Sequence, residues 1–587
     1  MKVAPLPNEQ RLLQNTPITP GISDSWIPIN SLNTQLELPE EEFIDLPGLD
    51  LLSTPNQLWE EQFNNIDDGD VHSAHTDRPF FFHFLDTFTS ETGFVSSFEC
   101  LTPGQRQDVL ASINRNQQND ACCHQENNAL GVSSGWLNNP LSIQTHQILL
   151  LIKEVVTIKP RNSCVNISWS QDIENRCVRF FSPINLHKYI DLYWSIWSPN
   201  VNFLHRPSFD AACSKPILLA CMAIIGACVS PDPDDSVDVR MWLNCVEEAA
   251  FADDDFNRDP ISPFQPVRDI RKIQALQAAY MVCLYQNWEG TDTSKKRIRR
   301  HRFSTVVSIV RDIDITTARH INYSLQQKDE FDWKGFVARE ELIRTFIWVF
   351  LMDTAFVTFN NLPPRMVAKE MKMHMAVPES CFQAPTACAC FDAIRRWMPS
   401  TSFCGKVSFR TLFERLCLDS FTLDMQESVA ALGPLNLFTI ISGIHSLVFQ
   451  YQSFFSAGHL LLRTYNALQN FKAIWNLYQT TMVGNMPHTT VDENQLTTEN
   501  MWQRVGFCRH AGDFWLLAKI KVDRLSATDA VPNNPSVDQA DGDEIEPSDS
   551  ILNKYDQTSM RQVNDLISDF QSVHLGEAVL DTSYSFL

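Results

Sequence analysis

The chain has 587 residues, 44% of them hydrophobic and 11% aromatic, so it can bury a large core and is not a wholly disordered polymer. Seventy acids against 47 bases give a net charge of −23, which repels a phosphate backbone. This excludes non-specific nucleic-acid binding by the whole chain, though not by a small module within it. Nineteen glycines against 38 phenylalanines and 14 tryptophans argue against Gly-rich and propeller-type repeats.

Met1 to Asn15 lacks the basic-then-apolar order of a secretory leader. The longest uninterrupted apolar run, Ile217 to Val229, is far shorter than the ~20 residues of a membrane span and reads as a core helix. Sixteen cysteines are scattered without a framework and are expected as free thiols in a reducing compartment.

Residues 1–76 are expected to be a disordered, acidic, Pro-rich segment. Leu12 to Asp77 holds no Lys or Arg, and Leu36 to Asp70 contains eleven acids. Between those acids lie Phe43, Leu46, Leu49, Leu52, Trp59 and Phe63. Mutual repulsion of carboxylates keeps such side chains from collapsing and leaves them available to an apolar groove on a partner. These six are the candidate anchors of an activation segment. Residues 77–176 read as a Phe-rich leader followed by a linker. Thr102-Pro103-Gly104-Gln105 offers a helix start, and Asn114 to Asn139 is rich in Asn, Gln and Ser. Residues 177–525 read as a large all-α domain. Apolar residues recur at helical spacing in Leu186–Trp197, Ile273–Leu284, Phe303–Ile313, Leu342–Leu351, Leu435–Phe449 and Trp502–Val522. Residues 526–587 read as an acidic disordered tail with one short helix near Met560 to Phe570.

No nucleophile elbow, dinucleotide fingerprint, P-loop or H-E-x-x-H motif is present, and no set of Cys and His falls at zinc-finger spacing. Neither catalytic residues nor a resident cofactor are expected. One lookalike is Asp234-Asp235-Ser236-Val237-Asp238, a D-D-x-x-D pattern with which all-α terpene synthases hold magnesium. It follows Pro231 and Pro233 and reads as a solvated loop; the remote alternative is a magnesium-dependent terpene-type enzyme. The basic run Lys295, Lys296, Arg297, Arg299, Arg300 and Arg302 has three readings. It is a nuclear import signal, a phosphate contact, or the polar opening of the helix that follows. In Leu342–Leu351 and beyond, Arg344, Trp348 and Asp353 are candidates for an internal polar contact, because a buried Asp353 needs a partner.

Several segments in order resemble the regulatory, or middle homology, domain of fungal-specific transcription factors. These are Phe80–Cys100, Leu192–Phe209 with its His-Arg-Pro turn, Ile273–Gly290 with the basic run, Ala338–Pro364, Val377–Phe391, Leu437–Phe449 and Trp502–Ala518. The similar subgroup carries paired Cys2His2 fingers at its N-terminus. The resemblance implies a nuclear regulator of one pathway or gene cluster, secondary metabolism included. It implies contact with the transcription machinery or coactivators, promoter DNA bound directly or through a partner, and homo- or heterodimers, without a membrane. Nothing before residue 77 can hold zinc, so zinc is expected only with a finger region encoded upstream. The alternative is a fingerless modulator that pairs with a DNA-binding homologue.

Overall fold

The computed structural model describes residues 82–124, 139–159, 161–323, 326–400, 407–419, 421–453, 458–484, 497–529, 552 and 554–584. Among them the architecture is all-α; the β structure there is an isolated antiparallel bridge between His374 and Ser408. The activation-segment residues Phe43, Leu46, Leu49, Leu52, Trp59 and Phe63 lie outside the described residues.

The first helices are α1 (His83–Ser90), α2 (Pro103–His124), α3 (Ser142–Thr157), α4 (Gln171–Phe180) and α5 (Pro183–Leu192). Then come α6 (Pro216–Cys228), α7 (Pro233–Val239), α8 (Leu243–Ala252), α9 (Ile270–Trp288), α10 (Asp292–Arg297) and α11 (Phe303–Ile313). The central helix is α12 (Trp333–Asn360), followed by α13 (Ala387–Ser400), α14 (Phe409–Leu416), α15 (Leu423–Ala430) and α16 (Pro434–Ser453). The series ends with α17 (Gly458–Gly484), α18 (Ala511–Asp529) and α19 (Arg561–Tyr584).

Local chemistry sets many of these boundaries. Ser182 accepts from the Asn185 N–H ahead of Pro183, and Asp232 accepts from the Asp234 N–H ahead of Pro233. Both pair a capping side chain with a proline in the first turn. Asp332 caps α12 by accepting from the Gly335 N–H at 2.9 Å. At the other end Asn361 is left-handed (φ 51°), and Pro363-Pro364 prevents continuation.

α12 has the length and apolarity of a membrane span, yet 94% of its most apolar window is buried inside the domain. It packs on α16, α9 and α11, while α6 is enclosed by α5, α9, α3 and α8. The α5–α6 contact is so close that a Cβ on Gly226 would lie 1.9 Å from the Tyr189 carbonyl oxygen. α16, α17 and α18 form a second packed group.

Four sequence expectations change. Helix α2 runs on to His124, inside the stretch expected to be linker. The core does not stop at the boundary expected at residue 177: Phe84, Phe88, Phe94, Ile148 and Ile152 belong to the main cluster. Leu552, Val563, Leu566 and Ile567 from the expected tail belong to it too. Apolar residues at helical spacing in 563–570 are enough to dock α19 against α1, with Phe82 and Phe570 edge-on at 5.8 Å. Residues 530–551 lie outside the described set. Finally, helix does not begin at Trp502. Two 3₁₀ turns precede Ala511, because Arg504 donates to the Ser195 and Ile196 carbonyls and Phe507 N–H to Asn200 Oδ1. Those two carbonyls lie within a π-turn, Tyr193–Trp197, whose widened ladder leaves acceptors for a side chain.

Candidate functional site: two buried charge clusters

The first cluster sits on α12, between the main core and a smaller core around Phe336, Phe382 and Ile394. Arg344 is fully buried. Its Nε donates to Glu340 at 2.7 Å, one terminal nitrogen to Glu379 at 2.8 Å, and the other to the Val377 carbonyl at 2.9 Å. The guanidinium stacks 3.9 Å from the Phe382 ring centre. Glu340 also meets His320 Nε2 at 2.7 Å and accepts from the Val377 N–H at 3.0 Å. Burial pushes the Glu340 carboxyl up, but Arg344 and His320 outweigh it and hold the group below its ordinary value. The cluster is a balanced charge lock: each carboxylate faces a cation or an N–H.

Of the three residues expected to meet on α12, two do so indirectly. Arg344 donates to the Asn202 carbonyl at 3.3 Å, and Trp348 Nε1 donates to Asn202 Oδ1 at 3.2 Å. Asp353 is elsewhere. It accepts from the Arg365 and Met366 N–H groups, both at 2.7 Å, and burial pushes its carboxyl up to about 6.

The second cluster gathers the basic run. Lys295, Lys296 and Arg297 close α10, and Ile298–Arg302 forms a π-turn leading into α11. Arg297 grips Glu247 through two nitrogens at 2.7 Å each. Arg302 reaches Glu247 at 3.0 Å and Glu248 at 2.9 Å. Glu247 is fully buried in the mostly apolar α8. Arg299, only 1% exposed, donates to Asp556 at 3.0 Å and Thr558 at 3.0 Å. Arg300 also binds Asp556, and Arg365 donates to the Arg299 carbonyl that the π-turn presents. Lys296 and Arg300 are exposed, and Lys295 is half-buried. The structure thus ties Arg297, Arg299 and Arg302 inward and holds the whole run helical. Sequence reading missed Glu247, Glu248 and Asp556; two adjacent acids inside the apolar stretch Leu243–Ala252 were the available signal.

The D-D-x-x-D residues do not converge. Asp235 is buried and accepts from Lys188 at 2.7 Å, Tyr189 at 2.8 Å and Ser230 at 2.6 Å. Asp238 pairs with Arg179 on the surface, and Asp234 is exposed. Among the described residues no group of three His, Cys, Asp or Glu could hold a metal ion. Burial pushes the Cys100, Cys245 and Cys390 thiols up to about 12, so they are protonated and poor nucleophiles at neutral pH.

The matched, inward-facing charges read as scaffold, not as chemistry. The fungal specific transcription factor domain matches residues 190–456. The chain is 49% identical over 518 residues to transcription factor verF of Penicillium polonicum, covering 84% of this chain and 70% of that protein. The chain belongs to the fungal-specific transcription factors. It is a fungal transcriptional regulator and not an enzyme. No solved structure matches it.

Proposed function

We propose that this regulator controls the genes of one metabolic pathway or gene cluster, acting in the nucleus. In this reading the all-α body is the regulatory platform, and residues 1–76 recruit coactivators through Phe43, Leu46, Leu49, Leu52, Trp59 and Phe63. The observation that carries the reading is the 49% identity to a transcription factor over most of both chains. The composition of the acidic segment supports the recruiting role, since from Leu12 to Asp77 its apolar side chains are interspersed with carboxylates and with no Lys or Arg. Promoters are reached directly or through a DNA-binding homologue; the net charge of −23 favours the second route for the residues in hand. Nuclear entry draws on Lys295, Lys296 and Arg300, the members of the basic run that are neither buried nor paired with Glu247. Chromatin immunoprecipitation of the tagged chain from its own cells tests the proposal. Discrete peaks at the promoters of one gene set support it, and a flat profile with cytosolic signal refutes it.

A further inference from the structure

Helix α3 is apolar on two faces. Ile148, Ile152, Val155 and Val156 are buried, where α3 packs on α4, α5, α6 and α8. The opposite face carries Ile143 at 69% exposed, Leu150 at 51% and, just past the last turn, Ile158 at 69%. Ile143 and Leu150 are seven residues apart, so they line up along one stripe of the helix. Thirteen large apolar side chains are exposed among the described residues, and no other helix carries more than one of them. Single exposed apolar residues are ordinary, whereas an aligned set on one helix marks a contact surface. Half-buried Leu151 and Trp169 lie at the border of the stripe, the Trp169 ring centre 5.5 Å from the Lys153 ammonium. Between the apolar positions stand His146, Gln147, Lys153 and Glu154, all exposed.

We infer that this face is where two copies of the chain meet, α3 against α3, antiparallel about a two-fold axis at Leu150. The charge pattern selects that occupant. An antiparallel pairing sets Leu150 on Leu150 of the second copy, and Ile143 on the end formed by Thr157 and Ile158. It also sets His146 opposite Glu154 and Gln147 opposite Lys153, each twice by symmetry. Lys153 is shared, since it also lies 3.7 Å from Glu174 of its own copy. A parallel pairing sets Glu154 on Glu154 and Lys153 on Lys153 instead, and like charges repel across a contact. The surface is therefore complementary to itself in one orientation. One 16-residue helix per copy buries less than the roughly 1,200 Å² in total at which stable pairs begin, so the pair forms and parts reversibly. Neither DNA nor a coactivator enters this contact, so it stands or falls apart from the proposed role at promoters.

Light scattering on the full chain, from about 1 to about 100 μM where small contacts are populated, reads the pairing. The mass climbs from the 67.1 kDa of one chain towards twice that value. Leu150→Glu holds it at one chain, while Leu462→Glu, at a 63% exposed position on α17, pairs like wild type. Glu154→Lys removes both symmetric attractions and weakens pairing about three- to tenfold. Adding His146→Glu to Glu154→Lys restores it, because the opposed groups have then exchanged places. Every substituted side chain is exposed, and unaltered circular dichroism checks that each variant folds. A wild-type chain that stays single throughout overturns the inference. So does a Leu150→Glu variant that pairs like wild type, a Leu462→Glu variant that loses pairing as Leu150→Glu does, or a double variant no tighter than Glu154→Lys alone.

Discussion

Arg344 shows how a single side chain can be indispensable without touching a ligand. Its removal leaves Glu379 buried without its cation and Glu340 with His320 alone, and breaking such a pair costs about 3–5 kcal/mol. Arg344→Leu is expected to destabilise by that amount in urea unfolding. Two other buried charges make opposite pH signatures. Burial pushes the Glu341 carboxyl up from 4.5 to about 7, although the His205 N–H donates to it at 2.8 Å. Between those pH values the folded chain holds a proton that the unfolded chain has lost, so this group makes stability fall as pH rises. Glu341→Gln keeps an oxygen for the His205 N–H. It should match wild type at pH 4 and have the higher urea midpoint above pH 7. Burial pushes the Lys521 ammonium down from 10.5 to about 7, although it donates to the Thr358 carbonyl at the end of α12. Here the unfolded chain holds the extra proton between the two values, so stability rises with pH. Lys521→Met is expected to stabilise most below pH 7 and to lose its advantage as pH rises past 10.5. Nearby His445, pushed by burial down to about 3, stays uncharged across this range.

Helix positions are fixed by a few close approaches and straps. A methyl group at Gly226 would collide with backbone, which cannot move aside as a flexible side chain can. Gly226→Ala should force α5 and α6 apart and cost at least about 1–3 kcal/mol, read from the thermal midpoint. The segment around Asp556 straps the basic π-turn. Burial pushes its carboxyl up, but Arg300 and Arg299 outweigh this and hold it below its ordinary value. Asp556→Ala strands the buried Arg299, and the thermal midpoint should drop more than with Arg300→Ala, which removes only an exposed partner. The segment read as an acidic tail thus contributes a helix and a buried ion pair. Its acidic composition was legible, but the basic partner that gives Asp556 its place lies more than 250 residues earlier.

The main core of the described residues draws on side chains from Phe82 to Phe570, a wider span than the matched domain at 190–456. Phe88 and Phe98 of the leader pack against Phe507, and Leu552 and Ile567 lie in the same cluster. A fragment limited to 190–456 should therefore expose a broad apolar surface and aggregate or melt without cooperativity. A fragment of 78–587 should unfold in one cooperative transition by circular dichroism, with a protease-resistant body of nearly the same size.

Helical periodicity, caps and proline stops are local, and from them the sequence determined the all-α class, the core of α9, α11, α12 and α16, and the family resemblance. The same locality explains why it could offer Asp235 as a metal ligand and the basic run as a surface signal. A carboxylate or guanidinium has the same sequence signature whether it meets solvent or a buried counter-charge. Only the tertiary structure decided that Asp235 serves Lys188, that Arg297 and Arg302 serve Glu247, and that leader and tail share one core. Those outcomes depend on desolvation and on partners brought together across long separations, which no window of sequence contains.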